Sequence, residues 1–198
     1  MTPDEWDDFA DGWDSNGDVR TYAAMAFDSW DRKVAPLVPE LRKSRVLDFG
    51  CGTGLLTEKL APRCGQIVSV DTSARMIEIL RKKILDAGTK NVTALQTGVN
   101  RDSIGEFPQL AGKFDLIVAS SVCAFLADYE ATLGDLCFVT NPGGFFVQWD
   151  WLADMPVERI QAAFDASGLA ICGIEESFTI ESGGESLPVV MGVGRLPT

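Results

Sequence analysis

Histidine is absent from this 198-residue chain. With it go an imidazole general base, a histidine-ligated metal and a Ser-His-Asp triad. No run approaches the ~20 uncharged apolar residues that a membrane-spanning helix needs. The opening stretch, MTPDEWDDFADGWD, is acidic where an export signal would be basic and then apolar, so a cytoplasmic protein is expected. The five cysteines (51, 64, 123, 137 and 172) form no CxxC pair and read as reduced thiols. Basic residues are scarce, 17 against 29 acids, for a net charge of −12. The imbalance is local: residues 1–31 hold nine acids and only Arg20. No Lys/Arg cluster stands clear of acids, which argues against nucleic acid and against an anionic membrane surface as partners.

What is present is a globular composition, 46% hydrophobic and 23% charged, at the length of one domain. Short apolar or β-branched runs lie at Arg45–Phe49, Gln66–Val70, Val92–Gln96, Phe114–Ala119 and Phe145–Trp149. Helical spacing separates them. Ser73–Ala87 sets Met76, Ile77, Leu80, Ile84 and Leu85 against Arg81, Lys82 and Lys83, and Tyr129–Val139 and Val157–Ser167 read as further helices. Continuous apolar strands alternating with helices predict an α/β fold with a doubly wound, mostly parallel sheet and helices on both faces. Glu175–Ile180 and Leu187–Arg195, joined by a Gly-containing loop at 181–186, predict an antiparallel pair at one edge. Residues 1–40 show no strand pattern; Asp18–Val34 reads as a helix with Tyr22, Met25, Ala26 and Trp30 near one face. This segment is expected to form a helical cover or lid, with residues 41–198 as the main domain.

The sharpest signal is Val46-Leu-Asp-Phe-Gly-Cys-Gly-Thr-Gly54, a strand running into glycines at 50, 52 and 54 and then a helix. Glycines there allow a tight turn and close approach of a ligand to backbone amides. Asp71 ends the next apolar strand, where a carboxylate can accept two hydrogen bonds from a ribose diol. A structural turn and a helix N-cap are the plainer readings of these two features taken singly. The GxGxG spacing, with Asp48 two residues ahead of the first glycine, departs from the GxGxxG of dinucleotide sites.

This stretch resembles the first motif of the class I S-adenosylmethionine-dependent methyltransferases. Ser69-Val-Asp-Thr-Ser-Ala-Arg-Met76 is similar to the family's second motif, Phe114–Ser120 to its fourth strand, and Thr140-Asn-Pro-Gly-Gly-Phe-Phe146 to the turn leading into its fifth. The resemblance implies a seven-stranded sheet of order 3-2-1-4-5-7-6 with the last strand antiparallel. It implies S-adenosyl-L-methionine as cofactor and S-adenosyl-L-homocysteine as product. The cofactor would be held by Asp48, Gly50, Cys51, Gly52 and Gly54 from the loop, and by Asp71, Thr72 and Met76 from the second motif. Thr97 and Gly98 after strand three, Ala119 at the end of strand four, and Trp13 and Tyr22 from the cover complete that set. The adenine-binding acid usual after strand three is missing, since Gln96-Thr97-Gly98-Val99 stands there.

The reaction implied is in-line displacement on an activated methyl, for which alignment and dryness matter more than a base. Ser120, Ser121 and Cys123 after strand four, Asp150 and Trp151 after strand five, and Tyr129 lie near the expected pocket, but the residues leave the catalytic group open. Ala119-Ser120-Ser121 offers no carboxylate for an oxygen-rich metal site, so no metal is expected. No subdomain is inserted after strand five, which favours a small-molecule acceptor over a protein or nucleic acid. Two other readings stay open: a cofactor-binding regulatory protein of the same fold without catalysis, and a nicotinamide-dependent oxidoreductase.

Overall fold

The computed structural model describes residues 2–198. Helix α1 (Pro3–Trp13) starts with a capping box between Thr2 and Glu5, with Pro3 at its first turn. Helix α2 (Gly17–Lys33) is capped by Asn16, whose side-chain oxygen accepts from the backbone of Asp18 and Val19. The alternating part follows as β1 (Arg45–Phe49), α3 (Leu55–Leu60), β2 (Gln66–Asp71), α4 (Ala74–Asp86) and β3 (Val92–Gln96). The short α5 (Arg101–Glu106) and α6 (Pro108–Ala111) lead to β4 (Phe114–Ser120), α7 (Tyr129–Phe138), β5 (Thr140–Trp151), α8 (Val157–Ser167), β6 (Ala170–Ser182) and β7 (Glu185–Arg195).

The seven strands form one sheet in the order β3-β2-β1-β4-β5-β7-β6. The β1–β2, β1–β4, β2–β3 and β4–β5 pairs are parallel, and β7 runs antiparallel to both β5 and β6. Side chains on both faces of the central strands are buried, which is why those strands read as continuous apolar runs. One face packs Leu47, Ile117 and Phe146 against Leu133, Leu136, Ile160 and Phe164 of α7 and α8. The other packs Val46, Leu116, Val147 and Trp149 against Trp30, Leu56 and Leu60 of α2 and α3.

Residues 1–40 therefore divide. Helix α2 is a layer of the sandwich itself, with Ala26 and Trp30 fully buried, whereas α1 lies outside that layer and buries only Ala10. Leu85, expected on the buried face of α4, is 79% exposed. At about 100° per residue it falls opposite Met76, so the apolar stripe ends at Ile84. The last two strands are longer than expected. Both Gly183 and Gly184 have positive φ (60° and 87°), so the hairpin closes on a two-residue turn and pairing extends to Ser182 and Glu185. Strand β5 likewise begins at Thr140, with a register shift opposite Phe114/Leu116 where Gly143 takes φ 81°.

Candidate functional site

The loop after β1 turns by way of three glycines with φ of 69°, 52° and 87° at positions 50, 52 and 54. The N–H groups of Gly50 and Cys51 both donate to the Val70 carbonyl, at 2.9 and 3.0 Å, which welds the loop to the end of β2. The glycines serve different ends. A Cβ at Gly50 would meet Val122 Cγ2 at 2.4 Å, and one at Gly54 would meet Leu80 Cδ1 at 2.3 Å, so both permit close packing. A Cβ at Gly52 would face only Trp13 Nε1 at 3.6 Å and Met76 Sδ at 3.9 Å, on the wall of a cavity of about 650 Å³.

Asp71 stands beside that wall at the carboxyl end of β2. Its Oδ2 accepts from Gly52 N–H at 2.8 Å and its Oδ1 from Ser73 N–H at 2.9 Å. Each oxygen keeps a second lone pair, and burial raises the carboxyl above its ordinary range against the pull of those amides. Asp48 sits lower, buried at the end of β1. Its Oδ2 accepts from the Thr57 hydroxyl at 2.5 Å, and burial lifts its pKa to about 7. Thr72, Met76, Thr97, Gly98, Val99 and Asn100 extend the wall toward β3. Thr97 Oγ1 donates to the Gly98 carbonyl at 2.9 Å.

Helix α1 closes the cavity on that side, and its acids do the fastening. Asp7 accepts from the Ser73 hydroxyl and from Arg75 N–H, the latter at 3.1 Å. Asp11 pairs with Arg75 at 2.7 Å, and Asp14 bridges the Thr53 hydroxyl at 2.5 Å and Lys83 at 2.6 Å. Asp7 and Asp14 are partly buried in these contacts, while Asp11 remains exposed at the rim. Trp6 bridges across the opening, edge-on to Trp13 at 5.9 Å and to Phe125 at 5.3 Å.

The far wall lies under β4 and β5. Ser121 takes a positive φ of 56°, rare for a residue with a side chain, while its N–H donates to the Trp149 carbonyl at 2.7 Å. Tyr22 packs edge-on against Trp151 at 4.9 Å and Phe178 at 5.3 Å. Its hydroxyl has no hydrogen-bond partner among the described residues, and burial pushes its ionisation well up, helped by the Asp150 carboxylate.

Of the residues singled out from the sequence, Asp48, Gly50, Cys51, Gly52, Asp71, Thr72, Met76, Thr97, Gly98, Trp13 and Tyr22 meet on this one cavity. Gly54 and Ala119 do not line it: Gly54 faces Leu80 of α4, and Ala119 lies in the core under α7. Tyr129, Cys123 and Asp150 are beneath the wall as well. Tyr129 donates to Gln148 Oε1, and Gln148 Nε2 donates to Asp150 at 2.9 Å. Asp150 also accepts from Ala124 N–H at 3.2 Å, so this chain braces the turn at Cys123–Phe125. Burial lifts Asp150 to about 7. It pushes the Cys51 and Cys123 thiols well up, which removes both as thiolate nucleophiles at neutral pH. Phe125 on the wall, and Asp7 and Asp11 as fasteners, were not legible beforehand. Nothing in their local sequence distinguishes them from an ordinary loop aromatic and solvated acids.

Residues 47–146, half of the chain, match the family described as "Methyltransferase domain". The chain belongs to that family. This methyltransferase domain is 33% identical over 131 residues to a ubiquinone biosynthesis O-methyltransferase of Chelativorans sp. (strain BNC1), covering 66% of this chain and 46% of that protein. It is 32% identical over 115 residues to a trans-aconitate 2-methyltransferase of Deinococcus radiodurans, covering 57% and 40%. The chain thus spans less than half the length of these two relatives. Among solved structures, a SAM dependent methyltransferase from Aquifex aeolicus superposes with a TM-score of 0.70 over 98% of both chains, at 16% identity. The N-methyltransferase NodS from Bradyrhizobium japonicum WM9, in complex with S-adenosyl-l-homocysteine, does so with a TM-score of 0.61 over 85% of this chain and 88% of that one, at 20% identity. The methyltransferase domain shares their fold. Among the described residues no helix is long and apolar enough to cross a membrane, and no group of three or more His, Cys, Asp or Glu could hold a metal ion.

Proposed function

We propose that the chain is an S-adenosyl-L-methionine-dependent methyltransferase that acts on a small-molecule acceptor in the cytoplasm. The observation that carries this is the pairing of Asp71 with Gly52 on one cavity wall. A carboxylate with two free lone pairs and a glycine whose missing side chain leaves room stand side by side, where a ribose and the chain attached to it would lie. The donor set fits the cofactor. Asp71 would accept from the ribose hydroxyls; Thr97, Gly98 and Val99 would bound the adenine side, with backbone in place of the missing acid; Met76 and Trp13 lie beside Gly52.

Held by Asp71 and the glycine loop, the cofactor would supply an electrophilic methyl on a sulfonium, which would pass to the acceptor's nucleophile with S-adenosyl-L-homocysteine leaving and the acceptor's proton released to bulk solvent with the product. The chain's own residues align and dry that encounter. Trp6, Trp13 and Phe125 exclude water above, while the tied loop holds Gly52 N–H and Asp71 fixed relative to each other. With no histidine and both nearby thiols held protonated, rate enhancement rests on alignment and desolvation.

Native mass spectrometry of the purified chain, followed by transfer of labelled methyl from S-adenosyl-L-methionine to a panel of small phenols, amines, thiols and acids, tests the reading. Retained S-adenosyl-L-homocysteine and a labelled acceptor are expected. Binding without transfer to any acceptor would favour a regulatory cofactor-binding role, and a bound dinucleotide would overturn the assignment.

A further inference from the structure

The cavity is longer than one ligand site, and its two ends differ in chemistry. Asp71 and Thr97 mark the end at β2 and β3. Tyr22, Ser121 and Trp151 mark the other, at β4 and β5. Because β2 and β5 are separated by β1 and β4, those ends lie three strand spacings apart, about 14 Å. If the first end takes the nucleoside, the second is left for the acceptor.

Charge on the wall is one-sided. Asp18, Asp48, Asp71 and Asp135 line the cavity, and no lysine or arginine among the described residues does. Asp135 is paired with Arg101 at 3.1 Å, away from the β5 end. A carboxylate or phosphate brought to that end would lose its hydration with no cation to replace it, and Asp18 beside it would repel it. The rest of the surface there is apolar: Val19, Ala23, Trp151, and Phe125 under Trp6. Ser120, Ser121 and the Tyr22 hydroxyl interrupt it. The Tyr22 side chain is 5% exposed and its hydroxyl is unsatisfied, a state that costs free energy unless something occupies it. Ser121, at positive φ on the same wall, brings its hydroxyl close enough to oppose the upward push on the Tyr22 ionisation, without making a hydrogen bond of acceptable geometry.

We infer that the acceptor is an uncharged, mainly apolar molecule of ring size, bearing a hydroxyl or amine nucleophile that hydrogen-bonds Tyr22 Oη at the β4–β5 end of the cavity. This rests on the reading of the other end as the cofactor site. Tyr22 is then a residue of the acceptor site, not a cover over the cofactor. Its phenol stays neutral, so its oxygen accepts a hydrogen bond from the nucleophile's O–H or N–H, without taking the proton, and turns the lone pair toward the methyl. Discrimination is against anions.

The test uses the full chain loaded with S-adenosyl-L-homocysteine. Binding of that product is measured first by calorimetry, in the wild type and in Tyr22→Phe; absence of binding in the wild type would sink the cofactor reading itself. Ligand-observed NMR titration of 4-ethylphenol against 4-ethylbenzoate then probes the other end. The phenol should bind at least ~10-fold more tightly than the benzoate. Tyr22→Phe should leave product affinity unchanged while weakening the phenol several-fold. Val19→Lys, which adds a cation to the wall, should narrow or reverse the preference. Equal or tighter benzoate binding, no saturable binding of either ring, or a Tyr22→Phe variant that loses product affinity and keeps the phenol would each overturn the inference.

Discussion

Asp71 Oδ2 accepts the Gly52 N–H at 2.8 Å, so the carboxylate proposed to hold the ribose is also the brace of the glycine loop. The two roles are coupled: ligand hydroxyls and loop amide share one anion. Asp71→Ala is expected to weaken S-adenosyl-L-homocysteine binding by about 2–4 kcal/mol, or roughly 30- to 1000-fold, as charge-assisted contacts and loop order go together. Calorimetric titration measures it. A change under threefold would move the ribose contact elsewhere.

The glycines should separate by function. A Cβ at position 52 would meet only side-chain atoms, at 3.6 and 3.9 Å, so Gly52→Val should fold with a penalty of roughly 1–3 kcal/mol from its positive φ. Its cofactor binding should nevertheless be abolished. Gly54→Ala, whose methyl would sit 2.3 Å from Leu80 Cδ1, should lower the melting temperature more. Thermal melts with and without S-adenosyl-L-homocysteine distinguish them; if Gly52→Val still shows ligand-induced stabilisation, the ligand does not lie on this loop.

Stability should fall as pH rises from about 4 toward 7. Asp48 and Asp150 are lifted by burial from 3.8 to about 7, so over that interval the folded chain holds protons that the unfolded chain has lost. More protons bound to the native state means a negative slope of unfolding free energy with pH. Asp7 and Glu5, whose carboxyls are lowered by hydrogen bonds, act with the opposite sign only below this window. Asp48→Asn keeps an oxygen for the Thr57 hydroxyl and should flatten the decline of melting temperature between about pH 4 and 7. An unchanged slope would show that Asp48 titrates normally.

Helix α1 should be the first part of the chain to open. Its fastenings are mostly half-exposed ion pairs, each contributing little, and only Ala10 is fully buried. Removing residues 1–13 spares Asn16, the cap of α2, so the remainder should stay folded. Cofactor affinity should drop ~10-fold or more and transfer should be lost. In the full chain, cleavage between Asp14 and Gly17 should slow when S-adenosyl-L-homocysteine is present. Equal cleavage with and without it would make α1 a fixed cover.

The sandwich and one end of its cavity were legible because their causes are local. Strands buried on both faces must be apolar along their length, and helices between them must carry one apolar stripe, so the succession of elements and a mostly parallel sheet follow from period, while the strand order came only with the family resemblance. The glycine loop and Asp71 were readable for the same reason: positive φ and a carboxylate at a strand end leave a mark at fixed spacing. The division of labour among the glycines was not, because whether a Cβ meets Leu80, Val122 or open space depends on side chains 26 to 72 residues away.

The sequence by itself determined the parallel core, the turn after β1, the acid ending β2 and the antiparallel edge, each from the hydrogen-bonding and packing needs of a short segment. Only the tertiary structure decided that α2 is a layer of the core, that Asp7, Asp11 and Asp14 find partners in Ser73, Arg75, Lys83 and Thr53, and that Tyr22 is left without one. A charge reads the same in solvent or across an interface until its partner is placed beside it. The end of the cavity proposed for the acceptor is written in such long-range meetings, between α2 and the ends of β4 and β5, and no local pattern encodes them.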